Sequence, residues 1–96
     1  KMTELVPNTT DASQEKHVPV IKTEGTKEIV EIGSQPHPMT KEHFISWVYI
    51  ETKKGGQRKE LLPDEKPCVT FALTDDDELV RAYAYCNLHG LWMADS

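Results

Sequence analysis

Apolar side chains recur at every second position in short runs along this chain, and nowhere at helical spacing. In Val69 to Thr74, Val69, Phe71 and Leu73 fall on one face while Thr70, Ala72 and Thr74 fall on the other. Val80 to Cys86 repeats the pattern, with Val80, Ala82, Ala84 and Cys86 against Arg81, Tyr83 and Tyr85. Phe44 to Thr52 (FISWVYIET) is the strongest run, dense in β-branched and aromatic residues that favour a pleated strand. Val18 to Lys22 and Glu28 to Ile32 flank the turn Glu24-Gly25-Thr26, and Lys53 to Gly56 turns the chain into Gln57 to Leu62. Six or seven short strands separated by turn residues predict an all-β fold, an immunoglobulin-like antiparallel β-sandwich.

Residues 1–16 (KMTELVPNTTDASQEK) carry only scattered apolar side chains and read as a polar N-terminal arm or linker, with the domain spanning 17–96. The run Asp75-Asp76-Asp77-Glu78 reads as a solvated turn. A chain of 96 residues allows one domain, and at this size about 65% of the unfolded surface is buried, so a bound metal would help the fold. No run of 18 apolar residues occurs, which argues against a helical membrane span. A net charge of −5 argues against a nucleic-acid or anionic-membrane surface. Two cysteines are too few for a disulfide scaffold, and with no leader-type segment a cytoplasmic setting is expected. The first residue is Lys1 rather than Met, as expected of a piece of a longer chain.

The candidate chemistry lies at the strand ends. His17 opens the first run, and His37 sits between Pro36 and Pro38, which stiffen its loop. His43 precedes the strongest strand, and Cys86 and His89 form a C-x-x-H turn that Gly90 frees the backbone to leave. Loops of a sandwich cluster at its two ends, so these five can converge there as metal ligands. Cys68, with no histidine nearby, reads as a small structural hydrophobe; for Trp47 and Trp92 the alternatives are a place near the site and a place in the core, and core is the safer reading.

Four motifs carry a family resemblance: Glu15-Lys16-His17-Val18-Pro19, Pro36-His37-Pro38-Met39, His43-Phe44-Ile45-Ser46-Trp47, and Cys86-Asn87-Leu88-His89-Gly90-Leu91-Trp92. In order and spacing they resemble superoxide reductase, the iron domain of desulfoferrodoxin and neelaredoxin, from about residue 15 to the C-terminus. The resemblance implies one mononuclear non-haem iron per domain. Four histidines, here His17, His37, His43 and His89, would hold it equatorially, with Cys86 as the axial thiolate. It further implies one-electron reduction of superoxide to hydrogen peroxide, re-reduction by a rubredoxin-like external donor, and assembly into dimers or tetramers. In desulfoferrodoxins a small cysteine-ligated iron module precedes such an arm, so this chain is expected to be the C-terminal domain of such a longer form.

The donor set agrees from below. A thiolate with imidazoles suits iron, zinc or copper rather than magnesium or calcium, and five candidates exceed the four of a structural zinc site. Four neutral imidazoles and one thiolate leave a ferrous centre with one positive charge, so a superoxide anion is attracted locally despite the charge of −5. Lys16, beside His17, would add positive charge where that anion binds. Glu15 would, by the resemblance, be the carboxylate that closes the sixth position of the ferric ion. In an extended segment Glu15 and Lys16 point to opposite sides, so this stretch is expected to be an irregular, moving loop. The alternative readings are a non-catalytic metal-binding or electron-transfer β-sandwich module, and an interaction domain with no metal.

Overall fold

The computed structural model describes residues 17–33 and 37–96. Seven strands are present in the described residues: β1 (Pro19–Glu24), β2 (Lys27–Ile32), β3 (Ile45–Thr52), β4 (Gly55–Glu60), β5 (Cys68–Ala72), β6 (Leu79–Cys86) and β7 (Gly90–Asp95). They form two antiparallel sheets, one ordered β1-β2-β5 and the other β4-β3-β6-β7. This is the all-β, two-sheet sandwich that the alternation predicts. No helix among the described residues is long and apolar enough to cross a membrane.

Each sheet turns one face inward. Val30, Ile32, Val69 and Phe71 come from the three-stranded sheet; Ile45, Val48, Ile50, Leu79, Ala82, Ala84 and Cys86 come from the other, and Leu61 closes the cluster from a loop. Burying these side chains away from water is the main force holding the sheets together, at about 25 cal/mol per Å² of apolar surface. At the open edge between β4 and β5, Gln57 Nε2 donates to the Ala72 carbonyl (2.8 Å) and Lys59 Nζ to the Thr70 carbonyl (2.5 Å). These bonds occupy carbonyls that an edge strand would otherwise expose. In the acidic turn Asp75–Glu78, Asp75, Asp76 and Glu78 are exposed, as expected, while Asp77 is half-buried, and the turn meets the β3–β4 hairpin through Lys53–Glu78 (2.6 Å) and Lys54–Asp76 (2.5 Å).

Four expectations change. The inward face of β6 begins at Leu79, not Val80, because the β3–β6 register slips between Glu51 and Thr52, and this bulge shifts the alternation by one residue. Gly90–Asp95 is a strand that the alternation did not disclose; it pairs with β6 and completes the sheet. Cys68 is exposed rather than structural filler: it pairs with Glu31 in a strand where the neighbouring Val69 faces the core, so it faces out. Trp92 is fully buried as expected, but Trp47 is half-buried on the outer face of the four-stranded sheet, where it stacks on Tyr85 (centroids 5.6 Å apart, planes 7° from parallel).

Candidate metal centre

Local structure delivers the five candidate ligands from three places. His17 lies just before β1, where Pro19 opens the strand, and is 2% exposed. His37 and His43 come from the connection between β2 and β3. The His37 N–H donates to the Ile32 carbonyl (3.3 Å), which anchors that connection to the end of β2. Cys86 ends β6 on its inward face and is fully buried. The chain then turns through Asn87, Leu88 and His89, and Gly90 leaves the turn at φ +81°, where a side chain would be strained.

One nitrogen each from His17, His43 and His89 and the Cys86 sulfur lie within 4.8 Å of one another. His37 is outside that group of atoms, yet its ring completes a square of imidazoles. Neighbouring centroids are 4.6 Å (His17–His37), 4.7 Å (His37–His43), 4.9 Å (His43–His89) and 4.9 Å (His89–His17), each pair near perpendicular. Across the square, the rings of His17 and His43 face each other at 6.2 Å.

Donor chemistry fits a metal ion. His17 Nε2 stands 3.0 Å from His89 Nδ1, and Cys86 Sγ lies 3.9 Å from that same Nδ1. Two nitrogens bound at right angles to one ion, each at about 2.1 Å, would stand about 3.0 Å apart. His37 Nδ1 donates to the Pro38 carbonyl at 2.6 Å, which fixes the tautomer and leaves Nε2 as a bare acceptor. That Nε2 is buried without a hydrogen-bond partner, as suits a ligand atom. Burial pushes the His37 pKa down to about 4, and the other three imidazoles push the same way, against the upward pull of the Pro38 carbonyl. The ring is therefore neutral at ordinary pH, the form that can bind a cation. The cluster is a metal-binding group.

Two supporting residues escape the alternation pattern. Trp92 stacks on His17 (4.7 Å, 29°) and its Nε1 donates to the His89 carbonyl (3.2 Å), so one buried indole touches two candidate ligands. The side chain of Asn87 bonds the main chain on both sides of His43. Both residues stand inside the motif Cys86–Trp92, but nothing in residue type alone separates a packing tryptophan or a turn asparagine from one that holds a ligand. Glu15 and Lys16, expected to serve the open side of the centre, lie outside the described residues, as does the arm 1–16.

Known proteins with this sequence pattern and geometry converge on one family. The sequence profile of the Desulfoferrodoxin family matches residues 9–95, beginning within the stretch read as an arm. The desulfoferrodoxin of Clostridium acetobutylicum is 47% identical over 94 residues, covering 98% of this chain and 73% of its own length. The superoxide reductase of Pyrococcus horikoshii is 36% identical over 99 residues, covering 85% of this chain and 86% of that protein. Among solved structures, the superoxide reductase of Treponema pallidum superposes with a TM-score of 0.92 at 50% identity, over 95% of this chain and 75% of that one. Matched along nearly its whole length, with histidines and a cysteine drawn to one end of the sandwich, this chain belongs to the desulfoferrodoxin family.

Proposed function

We propose that this chain is a superoxide reductase whose centre is one mononuclear iron held by His17, His37, His43, His89 and Cys86. The observation that carries this is the square of four imidazoles with the buried Cys86 sulfur beside it. Iron bound there would supply one electron to superoxide, which with two protons gives hydrogen peroxide, and would be returned to the ferrous state by an external one-electron donor. Five nitrogen and sulfur donors exceed the four that satisfy structural zinc, which supports iron. The Cys86 thiolate would push electron density onto the metal, and its burial keeps water from it.

The remaining roles belong to the segment before His17. Lys16 would attract and hydrogen-bond the incoming anion, and Glu15 would close the sixth position in the ferric state. We take the donor to be a small rubredoxin-like protein. Both cysteines are free, Cys68 exposed and Cys86 needed as a thiolate, which suits a reducing cytoplasm.

Assembly into homo-oligomers has a surface to use. Registered pairing lays out the outer face of the four-stranded sheet as rows: Glu60–Trp47–Tyr85–Leu91, Arg58–Tyr49–Tyr83–Met93 and Gly56–Glu51–Arg81–Asp95. Six aromatic or apolar side chains thus form one patch with a charged rim, the anatomy of a protein interface. The rim holds three acids and two arginines, so a face of a chain with charge −5 is close to neutral and does not repel its own copy. Four strands about 4.8 Å apart, with three rows of residues about 6.8 Å apart along them, give the face roughly 400 Å². Two copies together give roughly 800 Å² before the relief of the rings is counted, the size of a weak or transient contact.

The deciding experiment mixes the reduced, iron-loaded protein with superoxide under anaerobic conditions and counts the peroxide formed. About one peroxide per superoxide, with one iron oxidised for each, is expected; about half that with the iron left ferrous, the yield superoxide gives by disproportionating alone, would indicate a non-catalytic metal module, and the same half yield formed faster than in buffer would indicate dismutation. In the same assay Lys16→Ala should slow the second-order rate and flatten its dependence on ionic strength.

A further inference from the structure

His43 reaches the cluster from a connection that no strand ladder supports. The β3–β6 ladder ends at the pair Ile45–Cys86, and a bulge already breaks it between Ile45 and Trp47. Beyond that pair the main chain of residues 40–44 needs other partners. The main-chain groups of His43 bond locally: its N–H donates to the Thr40 carbonyl (3.2 Å) and its carbonyl accepts from the Thr40 N–H (3.0 Å). This small ring shapes the loop, the Met39 carbonyl just before it accepts the Asp64 N–H (2.7 Å), and residues 42–44 are tied to the end of β6.

Asn87 supplies that tie. Its Oδ1 accepts the Phe44 N–H at 2.9 Å, its Nδ2 donates to the Glu42 carbonyl at 3.0 Å, and its own N–H donates to the Phe44 carbonyl at 3.2 Å. The amide therefore uses its acceptor on one side of His43 and its donor on the other, and asparagine is the side chain of this length that offers both. Covalently, Asn87 adjoins Cys86. One residue next to the thiolate thus grips the two peptide groups that flank an imidazole.

We propose that Asn87 is a positioning residue that fixes His43 relative to Cys86, so that both donors stand ready before the metal arrives. It touches no ligand atom and acts through the main chain. A metal site gains affinity when its ligands are held within a few tenths of an ångström of their bound places, because ordering them is otherwise subtracted from binding. Residues that orient ligands in this way are typically worth 10- to 100-fold in metal affinity. The proposal rests on the metal site assigned above.

Cobalt(II) titration of the metal-free 96-residue chain tests it, read by the thiolate charge-transfer and ligand-field bands and by the rate of metal loss to a chelator. Asn87→Ala should weaken cobalt binding by 10-fold or more, speed its loss, and shift the ligand-field bands. Asn87→Asp keeps the bond to Phe44 but puts an acceptor against the Glu42 carbonyl, so its affinity should fall between the two, and it decides the matter if Asn87→Ala does not fold. Gln57→Ala is the control, since it removes a comparable side-chain bond to a main-chain carbonyl away from the site. It should leave cobalt affinity and spectrum as in the parent. Parent-like affinity and bands in Asn87→Ala, or in Asn87→Asp where that variant decides, would overturn the proposal. If the parent itself binds no cobalt, the metal site fails and the positioning role falls with it.

Discussion

At the scale of single residues, His37 shows how a ligand is prepared. Its Nδ1 proton is committed to the Pro38 carbonyl, its Nε2 is buried, and three other imidazoles crowd it. The folded chain therefore holds this ring neutral down to about pH 4, whereas an unfolded chain protonates it near 6.5. Between those values the unfolded state binds more protons, so metal-free protein should lose stability as pH falls from about 6.5 to about 4. Above 6.5 this residue contributes no pH dependence. Urea unfolding of the metal-free parent and of His37→Asn across that window checks it, and the slope should be shallower in the variant. An identical slope would show that His37 protonates in the fold as it does in the unfolded chain. The proline-flanked loop was legible in the sequence; the hydrogen bond that fixes the tautomer was not, because it depends on how the loop closes.

Among the elements, the hairpin of β3 and β4 illustrates a constraint that alternation does not announce. Gly56 pairs with Glu51 on the outer face, and a side chain there would run into the ring and hydroxyl of Tyr49. The glycine is required by close approach. Gly56→Ala should destabilise the fold by about 1–3 kcal/mol, the usual cost of overpacking. The double variant Tyr49→Ala/Gly56→Ala should lose less than the two single changes combined, as a shared clash demands. Chemical denaturation of the four proteins measures both, and strict additivity would show that the clash relaxes freely. Strand positions were legible wherever apolar and polar residues alternated, as in Val69–Leu73. They were misread where a bulge intervened, as at Val80, and missed where a short strand carried its signal in Leu91-Trp92-Met93, with no alternation to separate the faces.

For the whole molecule, the sandwich separates two surfaces. One end gathers the histidines and Cys86, while the outer face of the four-stranded sheet gathers Trp47, Tyr49, Tyr83 and Tyr85 away from the core. Arg58 lies over the Trp47 ring at 4.7 Å, and tryptophan, tyrosine and arginine are the residues that dominate protein interfaces. If two copies pair through this face, Tyr83→Glu should yield monomers in sedimentation equilibrium while the iron absorption stays as in the parent. Oligomers that persist in this variant would place the contact elsewhere.

By itself the sequence determined the fold class and named the five candidate ligands. Alternation with a period of two is imposed by the pleat, and His, Cys and their flanking turn residues carry their chemistry wherever they stand. Tertiary structure alone decided which residues meet. Convergence of His17 with His89, the outward turn of Cys68 and Trp47, and the grip of Asn87 on the chain around His43 all depend on register and loop closure. Those are fixed by the packing of two sheets against each other, and no local run of residues contains that information.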